Sequence, residues 1–154
     1  MSILHWDIHQ LVRALNITEK ETDLYFKDGR RISFLVERRI AHEVLHGSVA
    51  TSEGASYDVL DKDGGKWEIR SISKGGIYFY PSYMVGSGRH FEETGFQKKL
   101  DQIKGYIVVD IEDFPDVHYW IIPTQQVREW WISGELGVST RISHQKAMEL
   151  IKSL

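Results

Sequence analysis

Apolar residues fall at helical spacing from Ile3 to Leu15, where Leu4, Ile8, Leu11, Val12 and Leu15 share one face and predict a helix. Asp23 to Phe26 reads as a short strand ahead of the turn signal Asp28-Gly29. The helical period returns from Ile32 to Leu45, through Ile32, Leu35, Val36, Ile40, Val44 and Leu45, with Gly47 at the expected stop. The texture then turns to strand. Ser56–Leu60 and Lys66–Ser73 flank Lys62-Asp63-Gly64-Gly65, a hairpin signal. A further strand, Ile77–Tyr80, follows Gly75-Gly76 and is closed by Pro81. Phe91 to Ile103 predicts a helix ended by Gly105. The run Tyr106–Ile111 is almost unbroken in its apolarity, as a central strand covered on both faces requires, and His118–Ile122 predicts its neighbour. Thr124–Ile132 and Ser143–Leu154 predict closing helices with Thr and Ser as N-caps.

These elements predict an α/β fold, a mixed central sheet flanked by helices. No repeat or Pro/Gly/Ser-rich linker divides the chain, so residues 1–154 read as one domain. Within it, 1–30 is an N-terminal extension, 31–122 the core and 123–154 the closing helices.

Composition narrows the chemistry. A chain of 154 residues, 42% of them hydrophobic, is long enough to bury a core, and wholesale disorder is excluded. With no Cys, disulfide scaffolds, thiolate metal sites and a Cys nucleophile are excluded. No apolar run reaches the ~20 residues of a membrane span, and the start MSILHWDIHQ lacks signal-peptide regions. A cytoplasmic protein that does not bind membranes is the expectation. The net charge of −3 argues against binding polyanions by bulk charge and leaves room for a locally basic groove.

Three motifs compete as sites. His42-Glu43-Val44-Leu45-His46 matches H-E-x-x-H and resembles the zincin metallopeptidases, in which two imidazoles one helical turn apart hold Zn²⁺. No third ligand follows in Gly47-Ser48-Val49-Ala50, so solvated His at a helix end is the simpler reading. Gly76-Ile77-Tyr78 with Tyr83-Met84-Val85-Gly86 and Arg89 looks like the GIY-YIG nucleases, but four residues and Pro81 separate the two parts, which favours a strand packed into the core. The third is Asp58, Glu68 and Arg70 in the hairpin. Strand alternation puts Glu68 and Arg70 on one face and Ile69 on the other, and hairpin pairing brings Asp58 alongside. Two close carboxylates suit a hard divalent cation, and an adjacent cationic side chain suits a phosphate.

This third constellation, together with the order helix, three strands, helix, strand from Ile32 to Ile111, resembles the PD-(D/E)xK nuclease superfamily, in particular small type II restriction endonucleases. The resemblance implies a restriction-endonuclease-like αβββαβ core and Mg²⁺-dependent (Mn²⁺ as substitute) hydrolysis of phosphodiester bonds in double-stranded DNA. By matching position, Asp58 and Glu68 ligate the metal with the Ile69 carbonyl, Glu37 is a further acidic ligand from the first core helix, and Glu53 is another candidate. Arg70 replaces the family Lys. It keeps the charge and can clamp phosphate, but it cannot act as a base at neutral pH. A nuclease-fold protein that binds DNA without cutting is therefore the alternative, and the zinc peptidase is the second.

For DNA contact, Lys74 and Arg89 in a Gly- and Ser-rich stretch, with Lys98, Lys99 and Lys104 on the next helix, form the expected phosphate-binding strip. Trp120 and the pair Trp130-Trp131 read as core or interface in preference to a base-stacking platform. Cutting both strands of a symmetric site calls for a homodimer, with the Ile3–Leu15 segment as the expected dimerisation element.

Overall fold

The computed structural model describes residues 1–52 and 54–154; the candidate Glu53 lies outside the described residues. In chain order the elements are β1 (Ser2–His5), α1 (Ile8–Leu15), α2 (Glu19–Phe26), α3 (Gly29–Arg39), β2 (Ser48–Val49), β3 (Val59–Leu60), β4 (Lys66–Ile72), β5 (Ile77–Tyr78), α4 (Glu93–Gln102), β6 (Gly105–Asp110), β7 (Asp116–Pro123), α5 (Thr124–Ile132), β8 (Arg141–Ile142) and α6 (His144–Lys152). A π-helical turn, Ile40–Val44, extends α3.

The N-terminal half departs most from the expected elements. Asp7 caps α1 by accepting from the Gln10 N–H at 3.0 Å, so the helix begins only at Ile8. Ser2–His5 is instead a strand, pairing antiparallel with Asp116–Tyr119. The supposed strand at Asp23–Phe26 is helical because Thr18 and Glu21 close a capping box that starts α2. Asp28 of the turn signal Asp28-Gly29 is the N-cap of α3, accepting from the Arg30 N–H at 3.0 Å.

The main sheet has six strands in the order β1-β7-β6-β4-β3-β2, with β4 and β6 parallel and every other pair antiparallel. The right-hand crossover rule applies to the β4–α4–β6 unit, and α4 supplies the covering helix. From α3 the chain runs helix, three strands, helix, strand, but the three strands are β2, β3 and β4. Ile77–Tyr78 leaves the sheet and forms a separate two-stranded ribbon with β8. The predicted strand inventory therefore missed Ser48–Val49 and counted Ile77–Tyr80 in its place.

Strand β6 is buried throughout, as its apolar run requires. Its alternate side chains feed two cores. Tyr106 and Val108 pack with Phe96, Leu100, Val127, Trp130 and Leu150 beneath α4, α5 and α6. Ile107 and Val109, with Ile111 just past the strand, pack with Ile32, Val36, Ile40 and Phe26 beneath α3 and α2. Burying apolar area at about 25 cal/mol per Å² on both faces is what fixes this layered arrangement. Trp130 belongs to the first core, and Trp131 packs against Phe91 and Phe96 at its margin. Among the described residues, no helix is long and apolar enough to cross a membrane.

Candidate active site at the open edge of strand β4

Strand β4 runs seven residues, whereas β3 offers two. Their register ends at Val59↔Trp67, with one more backbone bond from the Asp58 N–H to the Trp67 carbonyl at 3.0 Å. Past that point the β3-side edge of β4 has no strand beside it. The polar groups of Ile69 on that edge would be orphaned, and side chains satisfy them. Asp58 Oδ2 accepts from the Ile69 N–H at 2.7 Å, and the Arg70 Nη1 donates to the Ile69 carbonyl at 3.0 Å.

The turn that fixes this register is held by Asp61. Its carboxylate accepts from the Asp63 and Gly65 N–H groups, the Trp67 indole at 2.9 Å and the Lys104 ammonium at 2.8 Å. Those contacts, the lysine foremost, hold the Asp61 carboxyl well below the usual carboxylate range. Lys104 is thereby spent on the hairpin and is not a free phosphate contact.

Glu68 and Arg70 lie on one face of β4, as alternation requires, and Ile69 joins the core on the other. Glu68 is 3% exposed, Arg70 8% and Lys99, arriving from α4, 7%. The Arg70 Nη2 meets Glu68 Oε1 at 2.6 Å, while the Lys99 ammonium pairs with Glu68 Oε2 and donates to the Ser56 carbonyl at 2.6 Å. The Arg70 Nη1 also stands 3.7 Å from Asp58 Oδ2, and its guanidinium lies over the Tyr78 ring at 5.0 Å. Burial works against the Arg70 charge, but the Glu68 and Asp58 carboxylates overcome it and raise the pKa above the ordinary value. Arg70 is thus inside the protein with most donors committed; only its Nε, also buried, lacks a partner among the described residues.

Lys99, expected as a phosphate contact, lines the larger cleft and is also the second cation on Glu68, a pairing that sequence reasoning did not foresee. Helical spacing carries the signal, since Phe96, Lys99 and Leu100 are the buried positions of α4. A lysine in register with the apolar stripe needs a buried anion, and Glu68 is that anion.

Glu37, from α3, completes the cluster. Among the described residues it makes no ion pair or side-chain hydrogen bond. Burial first, and then the Asp58 charge, push its carboxyl up to about 7. The Asp58 carboxyl is likewise raised, by burial and then by Glu68. Two desolvated carboxylates repelling each other form a place that a cation would relieve.

That arrangement fits a hard divalent ion at Glu37 and Asp58, since Mg²⁺ is held by one or two carboxylates with waters and substrate oxygens. It fits Glu68 and the Ile69 carbonyl less well: both Glu68 oxygens face cations, and the carbonyl accepts from Arg70. Among the described residues, no three His, Asp or Glu side chains are drawn together as a metal-holding group.

Two clefts meet at Glu37 and Asp58. The larger, about 810 Å³, is lined by Ser33, Phe34 and Arg38 of α3, by Asp58 and Glu68, by Tyr83 and Arg89, and by Lys98 and Lys99. The other, about 620 Å³, is lined as well by Lys27, Arg30, Arg70, Ser71 and Arg141. Of the expected phosphate contacts, Arg89 and Lys98 line the larger cleft, while Lys74 sits exposed in the Ser73–Gly76 turn and lines neither cleft.

The other motifs do not form sites. His46 has a left-handed φ of 50° beyond the π-helical turn, so His42 and His46 do not share a helical face, and Glu43 is clamped by Arg39 at 2.7 and 2.8 Å. Ile77 and Phe79 are core residues, and Tyr78 stacks on Tyr80 at 4.6 Å. Compared with known proteins, the chain matches no family model and no curated protein.

Proposed function

We propose that this protein is a Mg²⁺-dependent DNA endonuclease that hydrolyses phosphodiester bonds of double-stranded DNA. The observation that carries the reading is the convergence of Glu37, Asp58, Glu68, Arg70 and Lys99 where two cation-lined clefts meet. Mg²⁺ held by Asp58 and Glu37, or Mn²⁺ in its stead, would polarise the scissile phosphate and make bound water acidic enough to attack.

The chain's own residues divide the remaining work. Asp58 keeps the edge of β4 in register through the Ile69 N–H and lines both clefts. Arg70 is a positioning residue that fixes Glu68 and Asp58. Lys99 lines the larger cleft and offers a charge to the phosphorane as negative charge builds there. Arg38, Arg89 and Lys98 on one side and Lys27, Arg30 and Arg141 on the other would receive flanking phosphates.

One observation favours a second reading, a nuclease-fold protein that binds DNA without cutting. Glu68 is closed by both cations, which leaves two carboxylates for a metal. Incubating supercoiled plasmid with the protein and Mg²⁺ or Mn²⁺ decides between them. Nicked or linear product supports the endonuclease; intact plasmid with retained duplex binding supports the second reading. Cutting both strands of a symmetric site takes two copies, and a dimeric mass by sedimentation belongs to the first proposal.

A further inference from the structure

Two aromatic rings stand out in the larger cleft because both are exposed there. Phe34 on α3 is 56% exposed and Tyr83, in the turn after Pro81, is 58% exposed, yet both line the cleft that holds Glu37, Asp58 and Glu68. Each of the two residues has an arginine tied to its own carbonyl. The Arg38 Nη1 donates to the Phe34 carbonyl at 3.1 Å, and its guanidinium lies 3.3 Å from the Phe34 ring centroid. The Arg89 Nη1 donates to the Tyr83 carbonyl at 3.0 Å and to that of Val85 at 3.1 Å. Tyr83 is seated against α4 by a glycine: a Cβ on Gly95 would lie 2.3 Å from the Tyr83 hydroxyl.

Rings and cations together in one groove are the elements by which proteins hold unpaired nucleic acid, the rings stacking on bases and the cations following the backbone. A perfect duplex has no base face to offer an aromatic ring, since every face is taken by the next base pair. The volume of about 810 Å³ falls within the range of small-molecule sites. We infer that Phe34 and Tyr83 stack on an unpaired nucleotide of the DNA strand presented to the carboxylates, so that the protein prefers DNA with a base out of the helical stack near the cut. This rests on the endonuclease reading and adds to it the form of the substrate.

The test uses the full chain without divalent ion and three fluorescent probes of one sequence: a perfect duplex, the same duplex with a single unpaired 2-aminopurine, and the single strand. The wild type should bind the second and third about tenfold tighter than the first and quench the 2-aminopurine. Phe34→Ala and Tyr83→Ala should each weaken binding of the unpaired forms by about tenfold, leave the perfect duplex within twofold, and lose the quenching. Both side chains are exposed, so thermal melts should be unchanged, and Tyr83→Phe should behave as wild type. Equal affinity for all three probes, or equal weakening of all three by the substitutions, overturns the inference. If plasmid is still cut with Mg²⁺ in that case, the endonuclease reading survives alone; if no probe is bound and no plasmid is cut, both fall.

Discussion

The Asp58 carboxylate takes the place of a backbone partner for Ile69, accepting its N–H at 2.7 Å where strand β3 has already ended. A residue read as a metal ligand thus also terminates a β-ladder. Asp58→Ala leaves the Ile69 N–H unsatisfied, and about 1–3 kcal/mol of stability should go with it. Asp58→Asn keeps an acceptor and should retain most of that stability while losing cleavage, which denaturant melts and plasmid assays on the two variants would separate.

Glu37 makes pH the simplest probe of the site. Its carboxyl ionises near 7 in the folded protein, against an ordinary value of 4.5. Between those values the folded chain holds a proton that the unfolded chain has released, so stability falls as pH rises from 4.5 to 7 and stays lowered above it. With partial exposure allowed for, the loss is about 1–2 kcal/mol. Glu37→Gln should therefore stabilise the metal-free protein at pH 8 and not at pH 4.5. Mg²⁺ should raise the Tm of the wild type more at pH 8 than at pH 6, and should not raise that of Glu37→Gln.

The buried trio of Glu68, Arg70 and Lys99 gives a prediction in which loss and rescue differ. Lys99→Met leaves Glu68 with one cation and should cost about 3 kcal/mol; the double change Lys99→Met with Glu68→Gln should recover part of it. Cleavage should be lost in Glu68→Ala and in Lys99→Met. Arg70→Lys should still cut, at lower stability, because it gives up the contacts to the Ile69 and Tyr80 carbonyls. Activity in Glu68→Ala would remove the site assignment.

The hairpin turn should behave as a separate stabilising unit. Asp61→Ala removes the acceptor for Trp67, Lys104 and two backbone N–H groups and should cost about 2 kcal/mol at neutral pH. Because the Asp61 pKa is depressed, this contribution is present above the ordinary carboxylate range and fades in strong acid. Wild type and variant should converge in melts at low pH.

Gly47 marks a close crossing that no side chain fits. A Cβ there would lie 1.9 Å from the Leu60 carbonyl oxygen, in the ladder that pairs Ser48 with Leu60. Backbone cannot swing aside as a side-chain tip does, so Gly47→Ala should cost about 3 kcal/mol by chemical denaturation.

Periodicity disclosed the fold's order well where burial is two-sided or the turn is explicit. The apolar run at Tyr106–Ile111 became the buried β6, and Lys62–Gly65 became the hairpin turn. It failed where a capping residue outweighs apolar spacing, as at Asp7 and Thr18, and where a strand has only two residues, as at Ser48–Val49. At the site, alternation alone put Glu68 and Arg70 together. Asp58 and Glu37 were reached only through the resemblance and the hairpin. Lys99 was named as a phosphate contact, but its pairing with Glu68 was not legible, because spacing along one helix says that a residue is buried without saying what meets it.

The two clefts share Glu37 and Asp58 and are otherwise lined by largely different residues. Under the endonuclease proposal, a strand laid through both would be cut between two separate sets of cations, with each new end resting among its own. Release would then be two independent departures, and each lobe could be weakened without loosening the hold on the other fragment. Salt would act on the two exits separately, so turnover at low ionic strength would be set by whichever lobe lets go last.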